Sequence, residues 1–321
     1  MDLTNIKTIK HLCQKHGLHP NRKNGQNFLI DKNVLEKIIA AADLKPTDNV
    51  LEIGPGFGVL TQELVKHAGN VIAVEQDKRL AEFLEKEIKK EKSNLEIIND
   101  DILQIQNSKF KTQNYNSKLK TKFAVNYQLP ITDYKIVSNL PYQITSPVLW
   151  KFLQEENINS LSSSPLKRGR VLESMVLMVQ KEVGERICAK PGKMSILSVI
   201  CQFYAECEIV SLVSRNCFWP KPEVDSAIIR LQTNNHPYTR SICHRQIFTL
   251  KGWDNNKEFM RIVKIGFSAK RKMLKNNLAN GLQMPMEKIV AVLREAGLNE
   301  KIRAQELGVK EWRKIYWLLK N

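Results

Sequence analysis

The sequence predicts an α/β fold: a Rossmann-like, seven-stranded and mostly parallel sheet covered by helices, followed by a small all-α C-terminal domain. Three observations predict it. Short apolar runs alternate with amphipathic stretches between residues 50 and 231. A glycine string, Gly54-Pro55-Gly56-Phe57-Gly58, stands where the first run meets the first such stretch. From Asn256 onward only helical periodicity remains. Strands alternating with helices imply parallel crossovers, and therefore a sheet buried on both faces.

Each element has its own signal. Residues 2–23 are basic, with Lys7, Lys10, Lys15, Arg22 and Lys23 and no acid between Asp2 and Asp31, and residues 1–24 read as a basic arm. Helical periodicity marks 32–42. The apolar runs at 50–53, 71–74, 95–98, 135–138, 175–179, 206–213 and 226–231 read as strands. Helical patterns at 58–67, 78–91, 145–154 and 181–204 lie between them, the last broken near Pro191-Gly192. The last two runs have little between them, which suggests an antiparallel, hairpin-like edge. Residues 106–133 are rich in Asn, Lys and Gln, and 156–170 in Ser and basic residues; both read as surface insertions. A polar linker reaches 254, closing a domain of residues 25–254. Helices are then expected at 257–267, 270–279, 286–296 and 310–319, forming a domain of residues 255–321.

Bulk properties narrow the function. The 321 residues carry 50 Lys plus Arg against 33 Asp plus Glu, a formal +17, which favours a polyanionic partner such as nucleic acid. Six scattered cysteines form no C-x-x-C pair and no zinc-spaced quartet with histidine, so no metal is expected. Scattered thiols and the lack of an apolar leader or an 18-residue apolar run point to a cytoplasmic chain without a membrane span. A monomer is expected.

The glycine string suits a cofactor. Glycines between strand and helix let the backbone turn tightly and let a ligand approach closely. Glu75 ends the next strand, where a carboxylate accepts ribose hydroxyls. Asp101, after the third strand, is placed to accept from an adenine amine, with Ile102 against the ring. A dinucleotide site prefers G-x-G-x-x-G, but the sixth position here is Val59. The pattern therefore favours S-adenosylmethionine over a diphosphate-bearing cofactor.

Asn139-Leu140-Pro141-Tyr142 follows the fourth run. An exocyclic adenine amine is a poor nucleophile because its lone pair is delocalised into the ring. The Asn139 side-chain oxygen and the Leu140 carbonyl can accept both N–H bonds, leaving the lone pair aimed at an electrophile. Pro141 stiffens the loop, and Tyr142 offers a stacking ring. In Phe218-Trp219-Pro220-Lys221-Pro222, Phe218 either closes the opposite face of the base or plugs the space between the last strands. In the helical domain Arg261, Lys264, Lys270, Arg271, Lys272 and Lys275 lie in a stretch without acid from Phe259 to Met286. That stretch is either a phosphate-contacting surface or a solvated helix face.

With these residues in view, the chain resembles the KsgA-type ribosomal RNA small-subunit adenine dimethyltransferases. The marks are Gly25-Gln26-Asn27-Phe28-Leu29, the glycine string, Asn139–Tyr142, Gln180-Lys181-Glu182-Val183 and Phe218–Ser226. The resemblance implies a class I SAM-dependent methyltransferase fold with a small helical domain. It also implies transfer of methyl groups to the N6 amines of two adjacent adenosines near the 3′ end of small-subunit rRNA, in an immature 30S subunit. By position, cofactor contacts would fall on Asn27, Leu29, Gly54, Gly56, Glu75, Asp101, Ile102 and Asn139. Target-base contacts would fall on Asn139, Leu140, Pro141, Tyr142 and Phe218. Asn24 departs from the bulky apolar residue usual before Gly25. Competing readings are an Erm-type large-subunit rRNA methyltransferase, disfavoured by Leu140, and a non-catalytic nucleic-acid-binding factor on the same fold.

Overall fold

The computed structural model describes residues 1–18, 20, 27–105, 133–155, 171–233 and 256–320. The expected insertions lie outside these residues, apart from Asp133, as do the linker, Asn24, Gly25, Gln26 and Cys243.

Seven strands form one sheet: β1 (Asn49–Ile53), β2 (Asn70–Glu75), β3 (Leu95–Asn99), β4 (Asp133–Asn139), β5 (Val171–Gln180), β6 (Ala205–Val213) and β7 (Ser226–Thr233). Their order is β3-β2-β1-β4-β5-β7-β6. The first five pair in parallel, and β7 runs antiparallel to both neighbours. The late antiparallel pair is present, but β7 lies inside the sheet and only β6 forms the edge. β7 registers seven of its residues on β5, which draws it inward.

Alternation along each strand divides the core. Ile136, Met175, Leu177 and Ile229 point to one face, and Val137, Val176, Met178 and Ile228 to the other. On the second face lie helices α1 (Ile6–Lys15), α2 (Lys32–Ala42), α3 (Val59–His67) and α4 (Lys78–Phe83). On the first lie α5 (Thr145–Trp150), α6 (Lys181–Ile187) and α7 (Ile196–Tyr204). Helices α8 (Asn256–Gly266), α9 (Leu274–Leu282), α10 (Met286–Glu295) and α11 (Val309–Lys320) continue that first core. Phe203 of α7 stacks on Phe259 of α8 with centroids 4.5 Å apart, which joins the helical part to the sheet part.

Local chemistry sets the ends. Asp31 caps α2 by accepting the Val34 N–H at 3.1 Å, and Ser195 and Ser198 form a reciprocal cap at the start of α7. Pro191 and Gly192, the latter at φ +104°, separate α6 from α7 as expected. At the far end of the sheet the buried Lys135 pairs with Asp48 at 2.8 Å and donates to the Asp43 carbonyl at 2.7 Å. That ammonium supports a left-handed Asp43 (φ +44°) at the end of α2.

Candidate active site

The C-terminal ends of β1, β2, β3 and β4 open on a cavity of about 570 Å³, the size range of small-molecule sites. Its lining brings together Asn27, Leu29, Gly54, Gly56, Glu75, Asp101, Ile102, Asn139, Leu140, Pro141 and Tyr142. The parallel pairing explains the convergence: β1 neighbours both β2 and β4, so the segments that follow these strands emerge side by side.

The glycine turn and the Asn139 loop touch. Gly54 has φ +66°, and a Cβ there would lie 3.2 Å from Cδ of Pro141. Gly56 has φ +60°, and a Cβ there would lie 3.1 Å from the Phe28 ring. Both positions thus need glycine for conformation and for space. Beneath them, the buried Ser138 hydroxyl donates to the Ile53 carbonyl at 2.5 Å, tying β4 to the end of β1.

Glu75 is almost fully buried. Its Oε2 accepts the Gly56 N–H at 3.0 Å and its Oε1 the Asp77 N–H at 2.9 Å, fixing the carboxylate at the cavity wall. Burial pushes its pKa up, and those backbone donors oppose the shift. Glu52 lies deeper, 1% exposed, and accepts the Thr61 hydroxyl at 2.6 Å; burial pushes it up to about 8. Asp101 accepts the Leu103 N–H on Oδ1 at 2.9 Å, and Ile102 is buried beside it.

Where β4 runs into the loop after it, the Asn139 amide nitrogen donates to the Asn27 carbonyl at 3.4 Å. The Leu140 N–H donates to Met178 of β5 at 3.2 Å, and the Tyr142 hydroxyl sits 2.8 Å from Ser226 Oγ at the start of β7. Pro141, at φ −54° and ψ 126°, holds the loop extended between these anchors.

Phe218 does not join them. It is 3% exposed and pairs with Leu29 in a two-residue antiparallel ladder, Phe28–Leu29 against Phe218–Trp219. It fills the core behind the cavity wall, because that pairing turns its ring inward.

Several wall groups carried no sequence signal. Phe28 covers Gly56, and Ile9 of α1 lines the cavity from above. Outside the wall, Arg79 donates to the Gly17 carbonyl at 2.8 Å, fastening the segment after α1 to the Asp77 turn.

The charge of the lining tests the cofactor. Five acidic residues line the cavity (Glu52, Glu75, Asp77, Asp100 and Asp101), Glu52 being held protonated near neutral pH by its burial, and no Lys, Arg or His does so among the described residues. Such a wall repels a diphosphate and attracts a cation. The sulfonium and ammonium of S-adenosylmethionine fit it; a dinucleotide does not. No group of metal-ligating side chains occurs among the described residues.

The cations of the helical part are displaced from the expected pattern. Lys270, Arg271 and Lys272 occupy the turn between α8 and α9, not a helix face, and all three are exposed. Asn277, buried in α9, donates to the carbonyls of Gly266 and Ala269 at 2.6 and 3.1 Å and holds that turn open. Arg261 and Lys264 lie exposed on α8, with the Lys264 ammonium 4.7 Å from the Trp150 ring centroid. Lys275 is not a free cation: Glu300, distant in sequence, lies 3.5 Å from it.

Comparison with known proteins places this geometry. A family model described as ribosomal RNA adenine dimethylase matches residues 17–321. A ribosomal RNA small subunit methyltransferase A from Dehalococcoides mccartyi is 39% identical over 306 residues, covering 95% of this chain and 90% of its own. A protein of the same name from Bacillus cytotoxicus is 34% identical over 316 residues, covering 97% and 95%. Among solved structures, a dimethyladenosine transferase from Plasmodium falciparum superposes with a TM-score of 0.64 at 26% identity, covering 91% of this chain and 97% of its own. The 23S rRNA methyltransferase ErmE gives a TM-score of 0.64 at 26% identity, covering 92% and 100%.

Proposed function

We infer the function from one premise: this chain belongs to the ribosomal RNA adenine dimethylase family. It has the class I S-adenosylmethionine-dependent methyltransferase fold and is an rRNA adenine N6,N6-dimethyltransferase. Its substrate is small-subunit rRNA, dimethylated at two adjacent adenosines near the 3′ end of 16S rRNA. The observation that carries this reading is the single cavity that joins the carboxylate-lined glycine turn to the Asn139–Tyr142 loop.

When bound, S-adenosylmethionine supplies an electrophilic methyl group. Glu75 accepts the ribose hydroxyls and Asp101 the adenine amine, with Ile102 and Leu29 as apolar walls and Asn27, Gly54 and Gly56 as close backbone. The target adenine must leave its stack to enter the cavity. There the Asn139 oxygen and the Leu140 carbonyl accept the hydrogens of its N6 amine, while the Tyr142 ring lies against the base. No strong base is needed, because the proton can leave after transfer. The rate advantage comes from positioning and oriented dipoles. Phe218 supports Leu29 from behind.

The exposed turn Lys270-Arg271-Lys272, with Arg261 and Lys264, contacts phosphates, positions the RNA and reads no sequence. The natural substrate is the immature 30S subunit.

The deciding experiment is mass spectrometry of rRNA fragments after incubation with isotope-labelled S-adenosylmethionine and immature small subunits. Two labelled methyl groups on each of two neighbouring adenosines of the 3′-terminal fragment are expected. Label confined to large-subunit rRNA would replace this reading with an Erm-type activity, and no label would leave a binding factor.

A further inference from the structure

The adenine side of the cavity is held from outside it. Residues 101–105 form one turn after β3: Asp101 accepts the Leu103 N–H on its side chain at 2.9 Å, and those of Gln104 and Ile105 on its carbonyl at 2.9 and 3.1 Å. The turn's own amides are thereby engaged on Asp101, and its later carbonyls face the other way. Three of them converge on one ammonium. Lys151 Nζ donates to Ile102 at 2.8 Å, Leu103 at 3.2 Å and Ile105 at 2.5 Å. A lysine ammonium can donate to several acceptors at once, and charged donors make the stronger bonds.

The origin of Lys151 gives the cluster its meaning. It stands just beyond α5, the helix that begins three residues after Tyr142. The segment 139–151 thus presents the base-gripping loop at one end and clamps the Asp101 turn at the other. Lys151 itself does not line the cavity.

We propose that Lys151 is a positioning residue for cofactor recognition: it gathers three carbonyls of the turn so that the Asp101 carboxylate stands where the cofactor's adenine amine arrives. The proposal rests on the reading of the cavity as an S-adenosylmethionine site. In this arrangement the cofactor's adenine and the target adenine are registered by one continuous segment.

The test uses calorimetry on the full chain with S-adenosylhomocysteine and with its analogue in which the adenine 6-amine is replaced by hydrogen. The wild-type protein is expected to prefer the amine-bearing ligand by about tenfold, the scale of one charge-assisted hydrogen bond. Lys151→Met is expected to cut that preference to within about twofold while leaving the affinity for the analogue nearly unchanged. A lysine with only a stability role lowers both affinities alike; a parallel loss, or an intact preference, overturns the proposal. In an Asp101→Ala background Lys151→Met should cost nothing further, and an additive loss also overturns it. Should Lys151→Met fail to fold, hydrogen exchange on the wild-type protein decides: without cofactor, the amides of Leu103, Gln104 and Ile105 are expected to be protected, and exchange at free-peptide rates overturns the proposal. Wild-type protein that binds neither ligand removes the cofactor reading itself, and this proposal with it.

Discussion

On the proposed mechanism Asn139 acts through one oxygen. Its amide nitrogen donates to the Asn27 carbonyl, so alanine removes that single bond together with the acceptor. Asn139→Ala is expected to lower the single-turnover methylation rate by about 100- to 1,000-fold, the scale of losing one preorganised polar partner, with rRNA affinity within about twofold by filter binding. Unchanged methylation would take Asn139 out of the reaction. Glu52 makes a different demand. Its folded pKa is raised to about 8 from 4.5 by burial, so the folded state keeps a proton that the unfolded state releases between those pH values. Its contribution favours the fold fully below about pH 4.5 and is lost as pH rises towards 8. The slope is at most one proton, about 1.4 kcal/mol per pH unit. Urea unfolding of Glu52→Gln between pH 5 and 8 should show that slope reduced by up to one proton; a wild-type slope would mean Glu52 is ionised throughout. Glu75 and Asp101 were visible in the sequence because each follows or ends an apolar run. The place of Phe218 was not legible, because its neighbour Leu29 is brought to it only by tertiary pairing.

Strands were legible where both faces are buried, since β2 reads as an unbroken apolar run and β1 and β4 as runs each interrupted by a charged residue that the fold buries, Glu52 and Lys135. Helix α1 was missed, although Ile9, Leu12 and Cys13 are buried at helical spacing and Asn5 caps the start by accepting the Lys7 N–H at 2.8 Å. The interspersed lysines and histidines gave that segment the composition of a free arm. The turn between α8 and α9 was read as helix for the opposite reason: helical composition continues through it. Asn277 intercepts the carbonyls that would have propagated α8, and no pattern in the sequence reports a side chain acting across eleven residues. This turn makes a sharp prediction. Arg271→Glu with Lys272→Glu should reduce the slope of log affinity against log salt for rRNA by roughly one to three, without a change in melting temperature. An unaltered slope would move the RNA-facing surface elsewhere on the protein.

At the scale of the whole molecule, the +17 charge and the anionic cavity divide the work. Excess cations on the outside draw in a polyanion from a distance, whereas the acidic interior selects a cationic methyl donor. Composition revealed the first half of that division. The second half required the fold, because the five acidic residues come from three separate stretches of chain. The core that runs unbroken from the sheet into α8–α11 keeps the basic turn and the cavity in one frame. A last consequence follows from the contact of Pro141 with Gly54. If donor and acceptor meet in this one cavity as proposed, the glycine turn and the Pro141 loop are in contact there, so a bisubstrate compound needs a tether of only a few atoms. An adenosine joined in this way to a second purine should outbind both halves measured separately, since the second docking becomes intramolecular. Gly54→Ala, whose added Cβ would press on the Pro141 ring, should erase the advantage of linking them.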